Sequence, residues 1–160
     1  MTLKYLNVDE IFEIAEQIER NGGAFYRRAA QIVADPQSRA LLQALARMED
    51  EHVDTFTRLR RDVKIDKLDP EDEGVKYLQA VAGNHIFNTA EDPAKRLTGG
   101  ETAADILRIA INFEKDSVVL YLGLRDVAPP DKGRDKVNAI LEEEKQHVVS
   151  LSHALKVVLK

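Results

Sequence analysis

Apolar residues return at helical spacing along four long stretches of the chain, and polar or charged residues fill the positions between them. Asn7 can cap a first helix with Glu10 three residues on, after which Ile11, Ile14, Ala15, Ile18, Phe25, Ala29 and Ile32 follow one face. The pattern predicts a helix over about 8–34. Asp35-Pro36 stops it and opens the next, with Asp35 as cap and Pro36 in the first turn; Leu41, Leu42, Leu45, Met48, Val53, Phe56 and Leu59 carry that helix over about 36–61. The same pattern returns over about 102–127 (Leu107, Ala110, Ile111, Val118, Leu122) and, past Pro129-Pro130, over about 131–159 (Val137, Ile140, Leu141, Val148, Leu151, Leu155, Val158).

The short connections near 35 and 129 make each pair of helices an antiparallel hairpin, at about 8–61 and 102–159. Between them lies a crossover, about 62–101, with a shorter helix expected over about 70–88 behind Asp69-Pro70 and a flexible end at Gly99-Gly100. A helix of about 26 residues is about 39 Å long, and a link of that reach suits two hairpins that start at the same end of the bundle. The expectation is one all-α domain spanning 1–160, a four-helix bundle of two hairpins joined by a long crossover.

Ionisable residues interrupt each apolar stripe. With Glu144 as the origin of a helical wheel, Val137, Ile140, Leu141, Val148 and Leu151 all fall within about 60° of it, and His147 sits at the edge of that arc. Glu142, Glu143, Lys145 and Gln146 point elsewhere, so the wheel selects Glu144 from a run of three glutamates. Glu114 lies among Leu107, Ala110, Ile111 and Val118, Glu19 lies inside the first stripe, and Glu49 with His52 lies between Leu41 and Val53. The halves also repeat: Glu19, Tyr26, Glu49 and His52 recur as Glu114, Tyr121, Glu144 and His147 at one constant offset.

Four carboxylates meeting at one level of a core cost several kcal/mol each unless neutralised, and two divalent cations cancel their charge. Glu19, Glu49, His52, Glu114, Glu144 and His147 are therefore candidate metal ligands, a donor set that suits iron, manganese or zinc and leaves coordination positions open. His85 and His153 have no carboxylate three residues before them and are set aside. Tyr26 and Tyr121 follow Glu19 and Glu114 by two turns on the same face; they are either core aromatics or candidate catalytic residues that hydrogen-bond a ligand carboxylate or act as redox phenols. Gly22-Gly23 inside the first helix costs roughly 1 kcal/mol per residue against alanine and points to a close neighbour near the site.

Composition narrows the chemistry. The absence of cysteine removes disulfides, thiolate nucleophiles and cysteine-ligated clusters, leaving carboxylates and imidazoles for any metal. A net charge of -5 and one small basic cluster, Arg58, Arg60 and Arg61, argue against nucleic acid as a partner. No apolar run reaches the ~20 residues that span a bilayer, and the first residues lack the pattern of a signal peptide, so the expected location is cytoplasmic, away from membranes.

The stretch from Glu19 through Ala30, the Glu49-x-x-His52 pair, Glu114-Lys-Asp-Ser with Tyr121, and Glu144-x-x-His147 resemble motifs of the rubrerythrin branch of the ferritin-like di-iron carboxylate superfamily, across all four helices. The resemblance implies a ferritin-like bundle with two iron ions bridged by Glu49 and Glu144, one completed by Glu19 and His52 and the other by Glu114 and His147. It departs in two places. Peroxide-reducing rubrerythrins usually carry a further glutamate where this chain has Ser117, which brings the ligand set closer to that of bacterioferritin. A cysteine-ligated rubredoxin domain is absent from this sequence, so electrons for turnover come, on this reading, from an external donor protein.

The function implied is a di-iron oxidoreductase that oxidises Fe(II) with peroxide or dioxygen. The alternative is a ferritin-like ferroxidase that binds and oxidises iron for storage or detoxification without multiple turnover; a third reading is a purely structural metal site. Leu3, Tyr5 and Leu6, apolar ahead of the first helix, suggest a homodimer contact.

Overall fold

A computed structural model describes residues 7–63, 68–83 and 93–160, and among these all regular structure is helical. The elements are α1 (Val8–Ile32), α2 (Pro36–Asp62), α3 (Glu73–Gly83), a 3-10 turn (Pro93–Arg96), α4 (Ala103–Val127) and α5 (Arg134–Val158). The four long helices form the bundle that the apolar pattern predicts, with α1 packed along α2, α4 along α5, and α3 against α4.

Local chemistry sets most of the boundaries. Asn7 and Glu10 form a reciprocal capping box at the start of α1, as Thr102 and Asp105 do for α4, and the Asp35 side chain accepts from the Ser38 N–H to cap α2 ahead of Pro36. α1 stops at Ile32, short of 34, because Val33 and Asp35 turn to extended backbone ahead of the proline. α5 begins at Arg134 and not near 131: residues 130–133 form a turn in which the Pro129 carbonyl accepts from Lys132 and Arg134, and the Arg134 guanidinium bonds the Ala128 and Asp126 carbonyls at the end of α4. In the crossover, Asp69-Pro70 makes a turn instead of a cap, with the Asp69 side chain accepting from the Glu71 N–H. The cap of α3 is Asp72, whose carboxylate accepts from Gly74 and Val75. The expected helix over 70–88 thus starts at Glu73, and its expected part beyond Gly83 lies outside the described residues, as do His85, Leu3, Tyr5 and Leu6. Gly99-Gly100 is a hydrogen-bonded turn: Gly99 has φ +100°, and Glu101 accepts from the Thr98 and Gly99 N–H groups.

The core falls into two apolar plugs. One joins the start of α1 (Ile11, Phe12, Ala15), the end of α2 (Phe56, Leu59), the end of α4 (Leu120, Tyr121, Leu124) and the start of α5 (Val137, Ile140, Leu141), with Leu78 and Val81 of α3 on its flank. The other joins the end of α1 (Phe25, Tyr26, Ala29), the start of α2 (Leu42, Leu45), the start of α4 (Ile106, Leu107, Ala110) and Leu151 of α5. α1 and α4 therefore run antiparallel, and the two hairpins start at opposite ends of the bundle, which corrects the expectation of a common end. It is this arrangement, and not a common end, that requires the long crossover, since α2 finishes at one plug and α4 begins at the other. Between the plugs lies a layer of buried charge: Glu19 on α1, Glu49 and His52 on α2, Glu114 on α4, Glu144 and His147 on α5, all at most 4% exposed.

Candidate metal centre

The six predicted ligands converge in two overlapping groups. Ligand atoms of Glu19, Glu49, His52 and Glu144 lie within 4.8 Å of one another, and so do those of Glu49, Glu114, Glu144 and His147. Glu49 and Glu144 belong to both groups, while Glu19 with His52 and Glu114 with His147 flank them on either side. His52 Nδ1 is 2.8 Å from Glu144 Oε1 and 3.3 Å from Glu19 Oε2; His147 Nδ1 is 3.3 Å from Glu144 Oε2, 3.4 Å from Glu114 Oε1 and 3.6 Å from Glu49 Oε1. The two imidazole rings are stacked with centroids 5.8 Å apart.

These groups fit a metal better than they fit each other. Glu49 Oε1, both Glu144 carboxylate oxygens and both ring nitrogens of His147 are buried without an aligned hydrogen bond, the approach of His52 Nδ1 to Glu144 being an ion-pair contact only, and such an arrangement is costly enough to be rare in protein cores. A cation at the shared carboxylates satisfies the oxygens and His147 Nδ1 together. Without one, protons must serve. Burial, then repulsion from Glu19 and Glu144, raises Glu49 well above the usual carboxyl range, and burial with Glu19 and Glu114 pushes Glu144 up to about 8. Burial pulls both imidazoles down, but the adjacent carboxylates outweigh it, lifting His52 to about 11 (Glu144 and Glu19) and His147 to about 10 (Glu114 and Glu144). Burial opposes ionisation of Glu114 too, yet its contacts with Glu144, His147 and Tyr26 leave its carboxyl below the usual range.

The tyrosines reach across the repeat. The Tyr26 hydroxyl on α1 donates to Glu114 on α4, and the Tyr121 hydroxyl on α4 donates to Glu19 on α1. Side chains on a helix lean toward its N-terminus, so a tyrosine two turns beyond the charged layer folds back onto it, and antiparallel neighbours deliver one from each plug. Burial, followed by the nearby carboxylates, raises both phenols well above their ordinary value, which keeps them protonated as donors. Gly22 is the close approach that the glycine pair signals: a Cβ there would lie 3.0 Å from Glu49 Oε2.

Two acidic residues near the layer escape the wheel. Glu143 lies outside the apolar stripe and its side chain is 49% exposed, yet its Oε2 is 2.8 Å from His52 Nε2. Its signal was positional, one step past His147 on the edge of α5 that turns toward α2. Glu16, one turn before Glu19, is buried beside Arg20 and contributes to neither ligand group. Ser117 is buried one turn after Glu114, and His153 is exposed near the end of α5. Two arginines of the basic cluster are ion-paired, Arg60 with Asp9 and Glu13 and Arg61 with Asp62, while Arg58 donates to the Thr55 hydroxyl. Among the described residues no helix is long and apolar enough to cross a membrane.

Comparison with known proteins agrees with this architecture. No curated relative matches the chain. A Thermotoga maritima crystal structure, that of a candidate ferritin-like diiron-carboxylate protein, superimposes with a TM-score of 0.77 over 95% of this chain and 96% of that one at 24% identity, which establishes the fold. The family profile described as Rubrerythrin matches residues 10–153, nearly the whole bundle with every candidate ligand, and the chain belongs to the rubrerythrin family.

Proposed function

We propose that the buried layer holds two iron ions and that the protein is a di-iron oxidoreductase, oxidising Fe(II) with peroxide or dioxygen. The observation that carries this reading is the pair of overlapping donor groups sharing Glu49 and Glu144, of which Glu49 Oε1 and both Glu144 oxygens are buried without a hydrogen-bond partner. Glu49 and Glu144 would bridge, Glu19 and His52 would complete one position, and Glu114 and His147 the other. Bound iron supplies one electron per ion to the oxidant. The protein's own part is positional: Tyr26 and Tyr121 hold one oxygen each of Glu114 and Glu19, and the apolar plugs shut bulk water away from the layer. Binding of divalent ions would be linked to proton release, since Glu49, Glu144, His52 and His147 all hold protons more tightly than usual in the metal-free layer. An external electron-donor protein, a cytoplasmic location and a homodimer belong to the same reading.

Ser117 favours a second reading. With a buried serine where peroxide-reducing rubrerythrins usually have a further glutamate, the donor set resembles that of bacterioferritin, which fits an iron-handling ferroxidase. The test is to load the protein with Fe(II) anaerobically, mix it with peroxide or with dioxygen, and follow near-UV absorbance with and without a reductant. Repeated cycling is the expected result. A single oxidation followed by iron release replaces it with iron handling, and no reaction with either oxidant overturns both.

A further inference from the structure

The two histidines, equivalent in the repeat, are held differently. Each presents Nδ1 to the shared carboxylates, but their far nitrogens part company. His52 Nε2 lies 2.8 Å from Glu143 Oε2, whereas His147 Nε2 is buried with no partner. The internal repeat explains the difference. The residue before Glu144 on α5 is Glu143, whereas the residue before Glu49 at the equivalent position on α2 is Met48, so the repeat supplies a carboxylate on one side only. A carboxylate accepts an N–H strongly; a thioether does so weakly.

We propose that Glu143 is a positioning residue which, through His52, makes the two metal positions unequal, so that the Glu19–His52 position binds a divalent ion first and more tightly than the Glu114–His147 position. The inference rests on the di-metal reading above. A carboxylate on the far N–H fixes the imidazole in the tautomer with Nδ1 bare, locks the ring plane and makes the ligand nitrogen more basic. Loss of such a partner typically lowers metal affinity by about 10–100-fold. His147 has none of this help. Because Glu143 is half exposed, solvent screening places its effect toward the lower end of that range.

The test is an anaerobic titration of the metal-free protein with Co(II), read by visible absorbance. Wild type should bind two ions in two resolved steps separated by roughly 10-fold or more. Glu143→Gln should weaken the first step by about 10-fold and draw the two together, with the stoichiometry still two and the metal-free melting temperature unchanged. Glu143→Asp should restore part of the separation. Glu142→Gln, at an exposed neighbour paired with Lys145, should leave both steps alone. Two indistinguishable steps in wild type, or equal weakening of both steps in Glu143→Gln, overturns the inequality while leaving the di-metal reading intact. Failure of wild type to bind Co(II) at all removes the reading and the inference together.

Discussion

Gly22 is one of the few positions where a single hydrogen in place of a methyl group decides whether the site can form. An added Cβ would stand 3.0 Å from Glu49 Oε2 and 3.3 Å from its Cδ, and the obstructing group is the mobile end of a side chain. The carboxylate can yield by a few tenths of an ångström, so the fold should survive, and alanine gains up to about 1 kcal/mol of helix propensity over glycine. What cannot yield without consequence is a carboxylate shared between the two donor groups. Gly22→Ala is therefore expected to leave the metal-free melting temperature equal or higher while weakening metal binding by about 10-fold; thermal denaturation together with metal titration checks both halves, and an unchanged affinity would refute the role given to Glu49. At this scale the six residues of the buried layer were legible in the sequence, because burying charge on an apolar stripe is costly and one helical wheel per helix exposes it. Glu143 was not, since its contact depends on how α5 sits against α2. The tyrosines were legible only as neighbours of some carboxylate; that each serves the other half of the repeat follows from the antiparallel pairing of α1 with α4.

The elements differ in how far local chemistry determines them. α1, α2 and α4 carry their own start signals in Asn7, Asp35-Pro36 and Thr102, and their observed starts agree with the apolar pattern to within a residue. α5 opens at Gly133, which makes no side-chain cap and lets the chain pass within 3.2 Å, measured from an added Cβ, of Leu59 at the end of α2. That start is a tertiary matter, and the wheel places it too early. α3 depends on a contact of the same kind. Gly123 of α4 faces it so closely that a Cβ would meet Tyr77 Cδ1 at 2.6 Å and Leu78 Cδ2 at 2.8 Å, while the Tyr77 hydroxyl bonds the Val119 carbonyl. Gly123→Ala should push α3 outward, expose Leu78 and break that hydrogen bond, destabilising the protein by about 1–3 kcal/mol by overpacking. Urea denaturation measures the loss, and faster hydrogen exchange confined to α3 would locate it; full stability in the variant would show that α3 is not seated on α4 as described.

For the whole molecule, the charged layer links stability to pH and to metal. In the metal-free protein Glu144 titrates near 8 and Glu49 well above its ordinary 4.5, so the native state holds these protons more tightly than the unfolded chain does. Their contribution is complete below pH 4.5 and disappears as the pH rises through the native values. The imidazoles act in the same sense: ordinary values of 6.5 become about 11 and about 10, so their contribution is complete below 6.5 and is lost as the pH climbs through 10 to 11. Glu114 runs the other way, its depressed carboxyl contributing above 4.5 and losing that contribution in acid, which sets a lower limit on the favourable window. The metal-free protein should thus be most stable near pH 5 and should melt at progressively lower temperature up to about pH 9. Metal reverses the slope, because ligands must shed their protons to bind it and affinity rises with pH. The gap in melting temperature between loaded and chelator-treated protein is expected to widen steadily over that interval, as differential scanning calorimetry at several pH values would show. A metal-free protein whose melting temperature is flat from about pH 5 to 9 would mean that the buried carboxylates are neutralised by something other than shared protons, and the electrostatic case for the metal layer would fall with it.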